Sequence, residues 1–583
     1  MRKRTGQMHV DQAGRHYTTA GGERRSYPTY LLRRSFRDEH GRPRKETLAN
    51  LTGLPEASIA ALRATLRGRT LVDAEDAFEV QRPVPHGNVA AAHVMASELG
   101  LRALLGPACR ERDIACALII SRAVRPESKL STARWWQAGD TTLGTDLGVA
   151  DAGTDEIYAA MDWLTGRQRE IEKKLAARHL RLGGIAMFDL SSSWVEGSCC
   201  ELAAFGHSRD GKRGRRQVEY GLLTDRQGRP VAVEVFPGNT SDPESFKTAI
   251  TRVRTDFGIE RLIMAGDRGM ITGTRIADLR KLDGMDWITA LKAPAIAKLA
   301  KDDGPLQMSL FDTQNFAEIT HPDYPGERLV CCHNPVLAAD RARTREELLA
   351  DTEKDLAKIQ ASAAAGRLKD PDKIGIRIGK VINKRKVGKH FITEVTGDSL
   401  TWRRDQDKIA AEAALDGIYV IRTSVTGGIL DAAGVITAYK DLKYVERDFR
   451  ITKADDLDLR PIHHYLTSRV RGHVLICMLA CYLTWHLRQA LAELTFTDQH
   501  IPAPADPVAP AQRSRQARAK DAAKRNSDKL PVSSYQDLLG HLSTLTRQTI
   551  TFSGREIDKL TTPTPVQRRV FELLGATVPL TLT

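Results

Sequence analysis

GIAMFDLSSSW (184–194) decides the fold. An unbroken apolar run follows a glycine pair, the pattern of a strand buried on both faces. Two segments after it, VEYGLLTD (218–225) and VAVEVFPG (231–238), flank the turn-like RQGRP (226–230) and read as a hairpin. A helical pattern follows at 243–258, then the strand RLIMAGD (261–267), a helix at 271–282 and the strand DWITALK (286–292). The order is β-β-β-α-β-α-β, which predicts an α/β domain built on a mixed sheet.

Outward from this core the texture changes. Residues 183–293 form its first part. Regularity then stops over 294–416, which include an alanine- and charge-rich helical stretch (341–367) and a basic one (377–389). That length is too great for a loop, so it predicts an inserted subdomain. Core-like sequence returns over 417–497, with the strand GIYVIRTS (417–424) and a long helix at 465–494. Residues 1–70 read as a small strand-rich module around the turn DEHGRP (38–43), and 71–182 as a helical, DNA-binding region. Within it, RPESKLSTARWWQ (125–137) fits either the second half of a DNA-reading helix pair or a plain bundle helix. Residues 498–531, Pro/Ala-rich and then basic, read as a solvated linker, and 532–583 as a C-terminal helical segment.

The chain has 583 residues, too many for one core. Its 87 Lys and Arg against 73 Asp and Glu give a net charge of +14, which favours a polyanionic partner, nucleic acid above all. The basic N-terminus is followed by no apolar stretch, so no secretory signal is expected. The longest apolar run, VLICMLACYLTW (474–485), is too short to span a bilayer and reads as a buried helix; no membrane partner is expected. The eight cysteines include no C-x-x-C pair, which argues against a zinc ribbon and for free thiols in a reducing cytoplasm.

The chemistry lies in three acids. Asp189 and Asp267 are each expected directly after a short buried strand. Glu446 stands in ITAYKDLKYVERDFRITK (436–453), where Tyr439, Glu446 and Lys453 are spaced by seven and share one face of a regular helix. Two strand-end aspartates and a helical glutamate suit a two-metal phosphoryl-transfer site, because hard divalent ions need carboxylates converging from different elements. Each acid has a blander reading. Asp267 could cap the next helix, Asp189 could make a turn with the serines after it, and Glu446 could be a surface acid. His463, His464 and His473 are not needed for hard-metal chemistry. Asn239 and Asp242 are expected to shape a turn and cap the following helix.

The strand order and these acids resemble the ribonuclease-H-like core of DDE transposases. More narrowly, the chain resembles the insertion-sequence transposases with a Tyr-x2-Arg-x3-Glu-x6-Lys signature and an insertion before the Glu. Here the signature reads Tyr439, Leu442, Glu446 and Lys453, so the arginine is replaced and Lys443 is the candidate substitute. FDLSSSW, VEVFPGNTSDPESF and AGDRGM also look like this family. The resemblance implies a DNA transposase that cuts at transposon ends and joins them to target DNA. Asp189, Asp267 and Glu446 would be both catalytic and metal-holding, with two Mg²⁺ ions and Mn²⁺ able to substitute. DNA contacts are expected from Tyr439, Lys453, Lys443 and Arg268, and from Lys212, Arg213, Arg215 and Arg216 in the basic run HSRDGKRGRR (207–216). That run could equally be a solvated hairpin tip. Implied partners are double-stranded terminal repeats, target DNA and a second copy of the chain in a synaptic homodimer, in the bacterial cytoplasm at the nucleoid. The alternatives are another metal-dependent nuclease on the same fold and a non-catalytic DNA-binding descendant.

Overall fold

The computed structural model describes residues 6–19, 21–22, 24–71, 78–301, 304–552 and 555–582. The chain divides into two compact units, Met1–Pro83 with Gln548–Lys559, and Val84–Arg547 with Leu560–Thr583. The smaller unit holds an antiparallel sheet of Gln7–Thr18, Arg24–Arg37 and Pro43–Asn50, followed by the helix Glu56–Leu66. Asp38 shapes the turn between its second and third strands. Its Oδ1 accepts the backbone N–H groups of His40 and Arg42, an Asx arrangement, and Gly41 takes the left-handed φ of +72°.

The larger unit is organised by an eight-stranded mixed sheet. In chain order its elements are β1 (Ile185–Trp194), β2 (Gln217–Asp225), β3 (Pro230–Pro237), α1 (Asp242–Thr255), β4 (Leu262–Gly266), α2 (Gly273–Leu279), β5 (Met285–Ala290), β6 (Phe316–Ile319), β7 (Arg328–His333), β8 (Ile418–Thr423), α3 (Ala432–Lys440), α4 (Leu442–Arg450) and α5 (Thr467–Ala490). The spatial order is β6-β7-β8-β5-β4-β1-β2-β3. β1 pairs with β4 and β4 with β5 in parallel, while every other neighbour is antiparallel. The seven elements read between residues 184 and 292 occur in the expected order.

All nine residues of β2 are buried, which requires cover on both faces of the sheet. α1 packs on β1 and β2, and α5 packs on β3. α5 is also surrounded by the helices Gly87–Glu98, Arg110–Val124 and Thr154–Gly166, so its apolar run is a core helix: 83% of its most apolar window is buried. The bundle reading of residues 125–137 fits the structure. The helix Lys129–Gln137 buries Trp135, Trp136 and Lys129, and the Trp136 indole N–H donates to Ser121 Oγ at 3.1 Å. All eight cysteines are free thiols.

The stretch 294–416 divides in a way its sequence did not announce. Its first part supplies β6 and β7 to the main sheet. Its second part forms the helices Pro335–Ala364 and Pro371–Lys384 and the hairpin Phe391–Thr396 with Ser399–Arg404, around a core of their own that includes Leu356, Ile374, Ile378 and Leu400. Residues 498–531, expected as a solvated linker, instead lie against the larger unit. Val508 is fully buried, and Lys440 Nζ donates to the carbonyls of Pro507, Val508 and Ala509. A half-buried ammonium that finds three carbonyls fixes that backbone despite its loop-like composition. The segment 532–583 carries the strands Thr546–Phe552 and Arg555–Leu560 besides its helices Tyr535–Ser543 and Pro565–Leu573.

Candidate active site

Phe188 and Gly266 are register partners across the parallel pair β1–β4. The next residues along the chain are Asp189, still within β1, and Asp267, the first residue beyond β4. β4 ends at Gly266, whereas β1 continues to Trp194, paired only with β2. Asp189 is therefore inside its strand, not at its end. Antiparallel pairing from Asp189–Leu222 to Trp194–Gln217 holds the serine run extended, and Ser191, Ser192 and Ser193 are buried. The end of β4 opens a notch beside β1, and the crevice at strand ends is where open α/β sheets place ligands. The helix-cap reading of Asp267 does not hold either, because Thr272 is the residue that precedes α2.

Glu446 is exposed on α4, which packs against β1. Asp189 feels both other acids. Burial pushes its carboxyl up to about 7, the negative charges of Asp267 and Glu446 add to this, and the Leu190 N–H and Arg209 oppose it. The Leu190 N–H donates to Asp189 Oδ1 at 2.7 Å. Tyr439 senses the same three acids. Its hydroxyl is pushed up to about 12, first by burial and then by Asp267, with Glu446 and Asp189 adding and Arg268 opposing. Among the described residues no three His, Cys, Asp or Glu side chains form a closed ligand set. Asp267 and Glu446 are both exposed. Two aspartates, one within β1 and one just beyond β4, with a helical glutamate whose charge, like that of Asp267, acts on the Asp189 carboxyl, have the all-oxygen donor chemistry a divalent ion takes.

The signature is not one regular helix. α3 and α4 meet at Asp441, and residues Ile451–Asp455 form a π turn. The π turn rotates Lys453 out of the spacing by sevens. Lys453 is 8% exposed, and its Nζ donates to Asp210 at 2.8 Å, so its charge is engaged inside the protein. Leu442, at the arginine position, packs against the hydrophobic core. Lys443 is exposed, with its ammonium 4.9 Å from the Tyr444 ring centre. Arg268 is exposed beside Asp267.

The basic run 207–216 lies in the connection from β1 to β2. Lys212, Arg213, Arg215 and Arg216 are all exposed. Lys212 lies over Trp194, Arg215 pairs with Glu196 at 3.2 Å, and Arg216 donates to the Ser198 carbonyl at 3.2 Å. The cation that acts on Asp189 is Arg209, which the sequence reading did not single out. Its backbone N–H donates to Ser192 Oγ at 3.0 Å, and its guanidinium donates to the Leu190 carbonyl at 2.9 Å and to Asp242. Asp242 reaches toward the second aspartate: a methyl on Gly269 would lie 3.3 Å from Asp242 Oδ2 and 3.6 Å from Asp267 Oδ2. Glu219 was also missed. It is 2% exposed, and burial pushes its carboxyl up to about 7, with Arg209 opposing. The available signal was an acid inside the otherwise apolar VEYGLL.

Residues 17–77 match the family model described as IS1634 family transposase, N-terminal domain, and residues 195–483 match that described as Transposase DDE domain. The second match takes in Asp267 and Glu446 and begins six residues after Asp189 (195 − 189). No curated protein matches the chain. Among solved structures, a piggyBac transposase synaptic complex with hairpin DNA, determined by cryo-electron microscopy, is 7% identical with a TM-score of 0.34, over 70% of this chain and 77% of that one.

Proposed function

We propose, for a chain that belongs to the insertion-sequence DDE transposases, that Asp189, Asp267 and Glu446 are its catalytic triad and the holders of its divalent metal. The enzyme is a DNA transposase, and its class is metal-dependent. The observation that supports the site assignment is the Phe188–Gly266 register pair of two adjacent parallel strands, which is followed on one strand by Asp189 and just beyond the end of the other by Asp267, with α4, the helix that bears Glu446, packed on β1. The order β3-β2-β1-β4-β5, with β2 alone antiparallel to both neighbours, supports a ribonuclease-H-like core.

Two Mg²⁺ ions, with Mn²⁺ as substitute, fit the all-oxygen donor set. Bound there, divalent ions would activate the attacking oxygen and stabilise the leaving one. The chain's own residues orient and neutralise. Arg209 offsets the charge of Asp189. Arg268, Lys443, Lys212, Arg213, Arg215 and Arg216 are exposed cations suited to phosphate. Tyr439 keeps its proton, so it can only donate or accept a hydrogen bond at the rim of the acids. The partners are the element's terminal inverted repeats and target DNA, joined by two chains in a synaptic homodimer in the cytoplasm. The helical residues 71–182 serve DNA binding.

Asp267→Asn is the test. The amide keeps the shape and loses the charge, so strand cleavage of a duplex carrying the terminal repeat should fall by on the order of 10³-fold, the worth of several kcal/mol. Binding of the same duplex in Ca²⁺ should survive. Cleavage at a near-normal rate in Mg²⁺ would reject the assignment.

A further inference from the structure

The Asp210 carboxylate is 1% exposed, although it belongs to the basic run between β1 and β2. Two cations share one of its oxygens. Lys453 Nζ donates to Oδ1 at 2.8 Å and Arg460 Nη1 at 2.6 Å. The other oxygen, Oδ2, is buried without a hydrogen-bond partner. Both cations come from beyond α4, Lys453 from its π turn and Arg460 from the segment after it. The Arg460 guanidinium lies 5.5 Å from the Trp194 ring centre. Backbone bonds fasten the same place. The Ile462 N–H donates to the Trp194 carbonyl at 3.0 Å and the Glu196 N–H to the Ile462 carbonyl at 2.9 Å.

Arg209 is the residue before Asp210, and its tethers run to Leu190, Ser192 and Asp242. The ion cluster thus fixes one end of a two-residue lever, and the neighbour of Asp189 receives the other. We infer that Lys453 is a positioning residue, which through Asp210 holds Arg209 beside Asp189, rather than a contact to DNA phosphate. The inference rests on the catalytic assignment of Asp189, Asp267 and Glu446. Lys453 is buried with its ammonium bonded to Asp210, whereas exposed cations suited to a phosphate lie nearby in Lys212 and Arg213.

The full chain is assayed as Lys453→Met, Asp210→Asn and the double variant, on a duplex carrying the terminal repeat. Each single change should lower the cleavage rate at saturating DNA by about 10–100-fold, the usual effect of removing a support behind a catalytic centre. The double variant should be no worse than the poorer single, because both act on one link. The salt dependence of DNA binding in Ca²⁺ should be unchanged. A salt slope reduced by about 0.9 in Lys453→Met, with normal cleavage by Asp210→Asn, would make Lys453 a phosphate contact and overturn the inference. Unchanged cleavage in both singles, or fully additive losses, would overturn it too. Asp210→Asn keeps the side-chain shape and decides alone if Lys453→Met does not fold. Asp267→Asn is run alongside: cleavage surviving there rejects the catalytic assignment itself, a result separate from any of the Lys453 outcomes.

Discussion

Asp189 and Leu190 are joined by a short local bond: the Leu190 N–H donates to Asp189 Oδ1 at 2.7 Å while the carbonyl of the same leucine accepts from Arg209. One residue thus steadies the Asp189 carboxylate through its N–H and anchors the nearby Arg209 through its carbonyl.

Stability and cation binding should depend on pH in opposite senses. The Asp189 carboxyl titrates at about 7 in the folded chain, against an ordinary 3.8, chiefly through burial. Between those values the folded state holds a proton that the unfolded chain has released, so this group's contribution to stability falls as pH rises through 7. A divalent ion needs the carboxylate free, so protons compete with it below that pH. Added Mg²⁺ should therefore raise the melting temperature more at pH 8 than at pH 6, and Asp189→Asn should flatten that difference. Equal increments at both pH values in wild type would contradict the assignment.

Gly269→Ala probes the crowding between Asp242 and Asp267. A methyl there meets Asp242 Oδ2 at 3.3 Å, tight enough that the carboxylate must give way. Asp242 holds the Arg209 guanidinium, so the disturbance reaches Asp189. We expect a folded protein with cleavage reduced about tenfold, comparable to loss of a supporting contact. Full activity in Gly269→Ala would show that Asp242 can move without consequence.

Glu172→Gln tests the support beneath β3. Glu172 is fully buried, accepts the Val233 N–H at 2.9 Å and pairs with Arg252. Arg252 keeps Glu234 at 3.1 Å and Asp256 at 3.4 Å, so its charge is not orphaned. The loss should be about 2 kcal/mol, under the 3–5 kcal/mol of a fully broken buried pair. Urea denaturation measures it, and a change below about 0.5 kcal/mol would place the pair among ordinary surface contacts.

Arg213→Ala should weaken DNA binding evenly across sequences and lower the salt slope by about one. Arg213 is exposed in the loop beside the acids. An anisotropy titration in Ca²⁺ from 50 to 200 mM salt reads the effect, and an unchanged slope would remove this arginine from the DNA footprint.

The central sheet was legible because its strands are short, apolar and punctuated: GIAMFDL, VEYGLLTD and RLIMAGD each announce a buried strand. The acids were legible as companions of those strands. Pairing with β2 past Asp189 was not, since three serines read as a turn until a neighbouring strand holds them extended. Lys453 was misplaced because spacing by sevens assumes 3.6 residues per turn, and a π turn obeys no such count. RLVCCH (328–333) is a buried strand whose apolar core is only four residues long, too brief to stand out within a long irregular stretch. Arg209 was hidden among like neighbours: four other cations lie within 207–216, and only contact geometry separates the one that bonds to Leu190 and Asp242.

His333 and Ile418 are register partners on β7 and β8, and the Asn334 N–H donates to the Gly417 carbonyl at 2.9 Å. The chain leaves the sheet and re-enters it on one rung, so everything between is, topologically, an overgrown hairpin loop. Closing such a loop costs only slightly more as it lengthens. With a core of its own, this excursion behaves as a cassette. Its length and internal packing are therefore uncoupled from the register of β1 and β4, which place Asp189 and Asp267.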